Sequence, residues 1–476
     1  MSNYEKDLVK QAQTRRATTE FINIVNDLWY DKSIELVLFR NPLIDKRVGE
    51  VLKLINYARD FVVKPISIEE TLLIAKAIQS LDLPPSRLDI GKLAYEYHLD
   101  GKGNELEFVK KQLADASKTE DFEPKDVVLY GFGRIGRLLA RELMTKMGKG
   151  CQLRLRAIVT RGNIDEAVLE KRASLLRTDS VHGDFLGTVE VDVDNQALII
   201  NGTTVKMISA NAPEDIDYTQ YGINKALIID NTGAFRDKET LSRHLKAQGA
   251  EKVLLTAPGK GIPNIVHGVN HLENDPDKID IFSAASCTTN AITPILKVLE
   301  DNFGVKKGHL ETVHAYTNDQ NLVDNMHKKH RRGRAAALNM VITETGAGKA
   351  VAKALPALEG KLSSNAIRVP VPNGSLAILN LQLNTEATVE SINAIMKKYA
   401  LDSELVEQIK YEIDEELVSS DIVGTTAPSI FDSKSTIADG SKTIVIYIWY
   451  DNEYGYSHQV MRLAKYIAKV GRYTYY

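Results

Sequence analysis

The chain has 476 residues, of which 43% are hydrophobic and 26% charged, and its net charge is −3. That length is too great for one compact core and implies about two or three domains, while the composition excludes a disordered or fibrous chain. A near-neutral average field gives no reason to expect nucleic acid or an anionic membrane as partner, and two cysteines, Cys151 and Cys287, are too few for a disulfide-stabilised secreted protein of this size. Met1–Arg16 is highly charged, unlike a signal peptide, and no long uncharged apolar run follows. The expectation is a soluble cytoplasmic protein.

In chain order, residues 1–122 read as an all-α module. Ile34, Val37 and Leu38, then Val51, Leu52, Leu54, Ile55 and Ala58, recur at helical spacing. Ser67-Ile68-Glu69-Glu70 looks like a helix start with early carboxylates that suit the dipole. Pro84-Pro85 and Gly101-Lys102-Gly103 punctuate the region, and a polar linker spans Ser117–Pro124. No metal or nucleophile constellation stands out here, so an interaction module is the plainer reading.

The character then changes. Lys125–Tyr130 is a short buried-strand pattern that leads into Gly131-Phe132-Gly133-Arg134-Ile135-Gly136-Arg137 and the apolar helix Leu138–Met144. Strand, G-x-G-x-x-G, helix is the context of a dinucleotide fingerprint. Gly131 makes the turn, Gly133 admits the pyrophosphate, Gly136 packs helix on strand, and Arg134 and Ile135 complete the loop. The next strand, Leu153–Val159, ends in Thr160-Arg161 rather than in the acidic residue that would hold a ribose 2′-hydroxyl. A hydroxyl and a guanidinium accept a 2′-phosphate where a carboxylate would repel it. The alternatives are a solvated Arg161, or Asp165 taking over the ribose contact. Ala226–Asp230 runs into Asn231-Thr232-Gly233, and Lys252-Val253-Leu254-Leu255 into Thr256-Ala257-Pro258-Gly259. Such turns line the ligand crevice of an open α/β sheet. Ala366–Leu383 and Lys442–Tyr450 alternate like strands, which predicts a second domain on a mixed or antiparallel sheet.

Between these regions, strand-like Ile279–Phe282 precedes Ser286-Cys287-Thr288-Thr289-Asn290 and helix-like Ala291–Leu299. A cysteine that opens a helix sits among unpaired N–H groups at the positive dipole end, which favours thiolate and could also hold an oxyanion or phosphate. His314 leaves the alternating stretch Leu310–Thr317. Cysteine with a sequence-distant histidine is a candidate covalent catalyst, although a lone buried cysteine is more often packing.

With those motifs in order, the chain from Lys125 to its C-terminus resembles the phosphorylating glyceraldehyde-3-phosphate dehydrogenases. The likeness rests on Gly131–Arg137, Thr178–Gly183, Ser286–Asn290, His314–Thr317, Thr345–Ala350, Ala366–Pro370 and Trp449–Ser457. It implies a doubly wound Rossmann-type domain over 123–286, completed by a helix within 452–476, and an α+β catalytic domain over 287–451. It also implies Cys287 as nucleophile, His314 as base, and a thioester cleaved by inorganic phosphate. By motif position Asn452 places the nicotinamide carboxamide with Tyr456 beside it. Thr317 and Arg368 hold the phosphate of glyceraldehyde 3-phosphate. Ser286, Thr288, Arg332, Thr345 and Gly346 hold the attacking phosphate, and a homotetramer is implied. No metal is expected.

Three departures matter. Thr160 stands where NAD-specific members usually carry Asp, and Asn325-Met326 where many carry Leu-Pro, so NADP or dual use is favoured over strict NAD. The second cysteine common in the family is Ala291, and Cys151 reads as a packing residue. The hydrolytic erythrose-4-phosphate dehydrogenases are the runner-up within enzymes. A redox-sensing or regulatory assembly is the alternative of another class.

Overall fold

A computed structural model describes residues 2–100, 103–116 and 122–476. Gly101-Lys102 and most of the expected linker, Ser117–Asp121, lie outside the described residues. The chain divides into two compact units.

The first unit comprises residues 1–124, 147–152 and 470–476. It opens with a long helix, Asn3–Lys32, started by a capping box between Ser2 and Glu5. Ser67 and Glu70 form a second capping box at helix Ile68–Gln79, as their spacing predicts. The all-α expectation is corrected here. Strands Asn41–Pro42, Glu35–Leu38, Ser86–Asp89 and Tyr473–Tyr475 form a four-stranded sheet in that order. Glu35–Leu38 is buried on both faces, so its apolar run lacks the alternation that marks a half-exposed strand. Tyr473–Tyr475 pairs in parallel with Ser86–Leu88, so the last residues belong to this sheet rather than to the nucleotide domain. Phe21, Leu28, Trp29, Leu36, Ile74 and Leu93 are buried in the unit. The Arg472 guanidinium lies 5.1 Å from the Trp29 ring and 2.5 Å from the Glu35 carboxylate.

The second unit comprises residues 125–146 and 153–469. Its first sheet has eight strands, ordered Ile281–Ser283, Ala250–Leu255, Ala226–Asp230, Lys125–Tyr130, Leu153–Thr160, Thr203–Ser209, Ala197–Ile200 and Val189–Asp192. The first six run parallel and the last two pair antiparallel. From Lys125–Tyr130 the chain order proceeds in opposite directions on its two sides, and such a switch point opens a crevice at the carboxyl ends. The second sheet is mixed, ordered Val341–Thr343, Leu362–Val369, Val305–Ala315, Ser375–Leu383, Thr443–Tyr450, Ser429–Asp432 and Ile409–Glu412. Helix Cys287–Phe303 is packed against it through Ile292, Ile295, Leu296 and Leu299, all buried. Pro294 cannot donate to the Asn290 carbonyl, and the buried Ser429 hydroxyl lies against that carbonyl and its neighbour on Ala291, donating to them. The last helix, Tyr454–Ile467, packs on Arg134–Thr145. Together these elements make the α/β architecture expected for this part of the chain.

Candidate active site

At the carboxyl edge of the parallel sheet, Gly131 has φ +102°, and a Cβ there would meet Thr232 Cγ2 at 3.0 Å. Gly133 faces open space within 4 Å, which leaves room for a pyrophosphate against the backbone. A Cβ on Gly136 would fall 2.4 Å from the Gly131 carbonyl. Turn, open approach and close packing therefore fall on the three glycines as a bound dinucleotide requires. The Arg134 side chain is directed to Glu453 at 2.5 Å and Asp179 at 2.9 Å, so its part in any ligand contact comes from the backbone at the helix start. Ile135 is half-buried beside it.

Thr160 ends its strand beside Gly131, whose N–H bonds the Val159 carbonyl. Arg161 is exposed, while the Asp165 carboxylate caps helix Glu166–Arg177 through the Val168 N–H at 2.9 Å. Buried Asp230 organises the neighbouring turns. Its Oδ1 accepts from the N–H and hydroxyl of Thr232 at 2.8 and 2.7 Å, and its carbonyl accepts from the Thr256 hydroxyl at 3.0 Å. Its Oδ2 lies 2.9 Å from Nε2 of His244, also buried. Gly233 follows with φ +67°.

Strand Ile281–Ser283 leads into Ala285, a buried residue at φ +55°. An L-residue there is strained by about 1–2 kcal/mol. The Tyr456 hydroxyl holds the Ala285 carbonyl at 2.9 Å. Ser286 is the N-cap of the next helix, accepting the Thr289 N–H at 3.1 Å, and Cys287 is its first residue. Cys287 Sγ lies 3.6 Å from His314 Nε2. His314 sits next to last in strand Val305–Ala315 and directly opposite Arg368 in the parallel ladder. Its Nδ1 faces the Ala315 carbonyl at 2.7 Å and an Arg368 guanidinium nitrogen at 3.0 Å; with the proton on Nδ1 and given to the nearer carbonyl, Nε2 is left to accept from the thiol. Arg368 donates to the same carbonyl at 2.7 Å.

Burial pushes the Cys287 thiol up, against the pull of Arg368 and the Thr288 hydroxyl and N–H. Burial, then Arg368, holds the His314 imidazole down at about 3. Each group alone therefore favours its neutral form, which opposes the expected thiolate. Proton transfer between them creates opposite charges 3.6 Å apart, worth about 4–5 kcal/mol of attraction at an effective dielectric near 20. That mutual attraction, absent for either group alone, offsets part of the cost that burial sets on the charged pair.

Around this pair the anion-site candidates are distributed unevenly. Within the basic run, Arg331 and Arg334 are exposed, whereas Arg332 is tucked in, bonding Thr343 at 3.0 Å and pairing with Asp319. Its charge reaches both His314 and Arg368. Thr345 accepts from the Ala347 N–H at 3.2 Å, and Gly346 is the N-cap of helix Ala347–Ala354. Thr317 closes a turn with Gln320 just beyond His314. The Thr288 hydroxyl is buried against the Tyr450 hydroxyl at 3.0 Å. Asn452 Oδ1 is bonded by Ser375 at 2.9 Å. Asn325 stands apart, since its bonds to Gly333 and Met326 stay within its own exposed loop.

Tyr450, which joins Thr288 to Thr312, and Asp230 were not singled out from the sequence. Tyr450 closes the strand just before Asp451-Asn452, and that position was the available signal. Among the described residues no cluster of three or more His, Cys, Asp or Glu could hold a metal, and no helix is long and apolar enough to cross a membrane.

A glycine-turn nucleotide domain followed by a mixed-sheet domain with this residue set is that of an NAD-binding oxidoreductase. Residues 125–238 match the NAD-binding domain of glyceraldehyde 3-phosphate dehydrogenase, and residues 286–452 match its C-terminal domain. The chain belongs to the glyceraldehyde-3-phosphate dehydrogenase family. It is 48% identical, over 94% of its length and 98% of the relative's, to a glyceraldehyde-3-phosphate dehydrogenase-like protein of Pseudomonas aeruginosa. It is 41% identical to glyceraldehyde-3-phosphate dehydrogenase 2 of a Nostoc species and to glyceraldehyde-3-phosphate dehydrogenase 1 of Bacillus subtilis, each over 72% of this chain and 98% of theirs. The match to the Pseudomonas protein therefore extends into the first unit.

Proposed function

We propose that this chain is a phosphorylating glyceraldehyde-3-phosphate dehydrogenase that interconverts glyceraldehyde 3-phosphate and 1,3-bisphosphoglycerate through a thioester on Cys287. The observation that carries the reading is the 3.6 Å approach of Cys287 Sγ to His314 Nε2 at the start of a helix. Cys287 sulfur bonds the aldehyde carbon, and His314 takes the proton from the resulting hydroxyl. A bound nicotinamide dinucleotide supplies the hydride acceptor. As the hydroxyl proton goes to His314, the C–H bond yields its hydride and the carbon becomes a thioester of Cys287. Inorganic phosphate then attacks that carbon, and the C–S bond breaks to return the thiolate.

Arg368 with Thr317 would hold the substrate phosphate, and Ser286, Thr288, Arg332, Thr345 and Gly346 the attacking one. The Arg332 charge acts unfavourably on the Arg368 guanidinium, and an anion bound between them would relieve that repulsion, which supports this reading. Residues 123–286 with the last helix would form the nucleotide domain and 287–451 the catalytic domain. A cytoplasmic homotetramer follows from the same reading.

Use of NADP, or of both dinucleotides, is favoured by Thr160 at the ribose position, by exposed Arg161, and by commitment of Asp165 to its helix. Mixing the enzyme with glyceraldehyde 3-phosphate and oxidised dinucleotide, phosphate withheld, should leave an acyl adduct on Cys287 detectable by mass spectrometry. Added phosphate should discharge it. No adduct sinks the mechanism, and equally fast discharge in water would select the hydrolytic, erythrose-4-phosphate type of reaction.

A further inference from the structure

We propose that Ser375 is a positioning residue that fixes which end of the Asn452 amide faces the nicotinamide, and thereby how the ring's carboxamide is recognised. The inference rests on the reading of Asn452 as the residue that places that carboxamide.

Ser375 begins strand Ser375–Leu383 and is 1% exposed. Its Oγ lies 3.1 Å from the Ala315 backbone nitrogen and 2.9 Å from Asn452 Oδ1. A backbone N–H only donates, so the serine oxygen accepts there. The single hydroxyl proton is then left for the second contact, where the amide oxygen receives it. Turning the Asn452 amide over would present an NH2 to the serine and strand a buried hydroxyl proton without an acceptor, an unfavourable state.

The amide is thus locked with Oδ1 inward and Nδ2 left as its open atom, a pure donor. A donor at that point recognises the carbonyl oxygen of a carboxamide, not its amino group. The other face of the same arrangement touches the proposed base. Ala315, whose N–H is held by Ser375, also presents the carbonyl that takes the Nδ1–H of His314 and one N–H of Arg368. Ser375 therefore sets the ring-placing amide and the strand end carrying His314 against one another.

Two dinucleotides separate this role from general packing. The 3-acetylpyridine analogue keeps the carbonyl but replaces the amino group with methyl. Dissociation constants measured by calorimetry should be similar for both with the unaltered enzyme. In Ser375→Ala the Asn452 amide is free to turn, and its oxygen then accepts only from the natural carboxamide. Binding of the analogue should weaken about fivefold more than binding of the natural dinucleotide, an effect of the size of one hydrogen bond.

A structural defect would weaken both alike, and equal loss or no loss overturns the proposal. Asn452→Asp gives a second reading, because it keeps an acceptor and deletes the donor. The natural dinucleotide should then bind about tenfold more weakly, and retained affinity would overturn the assignment of Nδ2 as donor. If the unaltered enzyme forms no acyl adduct, the parent reading fails. An active enzyme with an unmoved ratio of dissociation constants sinks this inference alone.

Discussion

Cys287 Sγ and His314 Nε2 lie 3.6 Å apart, in surroundings that disfavour charge on either group alone. Ionisation of the thiol therefore depends on where its proton goes. Replacing His314 with Asn removes the acceptor that becomes a stabilising cation, while the burial that raises the thiol persists. Alkylation of Cys287 by iodoacetamide at pH 7 should slow by about tenfold or more, and its pH profile should move alkaline. An unmoved profile would mean that the helix start and Arg368 suffice to ionise the thiol.

Arg368 acts on the imidazole with the opposite sign. Its fixed charge opposes a second cation at His314, so it holds the histidine below its ordinary value, after burial. In Arg368→Gln that opposition is lost, and the His314 pKa should rise by about one unit. A base with a higher pKa stays protonated to a higher pH, so the acid limb of the rate profile should move up. Non-phosphorylated glyceraldehyde is the suitable substrate, because it carries no phosphate for the anchor proposed at Arg368. A limb that stays in place would assign it to another group.

Thr160 offers a test by charge alone. It ends the strand beside the glycine turn, so Thr160→Asp brings a carboxylate to where the adenosine ribose of a bound dinucleotide would lie. Repulsion of a 2′-phosphate and a new partner for a 2′-hydroxyl act in the same direction. The ratio of kcat/KM for NADP to that for NAD should fall by about tenfold or more. An unchanged ratio would count against recognition at this position and direct attention to Arg161.

The features legible in the sequence were those written locally. The glycine turn shows because backbone approach and packing forbid side chains at Gly131 and Gly136, and the capping box at Ser67 shows because its partners lie three residues apart. Cys287 and His314 could be paired as candidates because one opens a helix and the other lies at the end of a strand. Tyr450 and Ser375 were missed because their partners, Thr288, Thr312 and Asn452, come from distant segments and are set by sheet register. The sheet of the first unit was missed for both reasons. Glu35–Leu38 is buried on both faces, and the strand Tyr473–Tyr475 comes from the opposite end of the sequence.

That terminal strand makes the first unit dependent on the last residues of the chain. Arg472, just before it, is 4% exposed at its side chain and pairs at 2.5 Å with Glu35, which is 1% exposed, while Arg87 lies 3.5 Å from the same carboxylate. Removing one partner of a buried pair leaves charge with less compensation, which typically costs about 3–5 kcal/mol. Arg87 remains beside Glu35, so Arg472→Met should destabilise the first unit by about 2 kcal/mol, with lost packing on Trp29 included. Glu35→Gln added to Arg472→Met should recover part of that loss, because the uncompensated carboxylate goes with it. Hydrogen exchange at Leu36, Leu88 and Thr474 amides reads the sheet directly. Faster exchange in the single variant, partly restored in the double, is the expected pattern, and unchanged protection in Arg472→Met would show that the strand pairing holds without this ion pair.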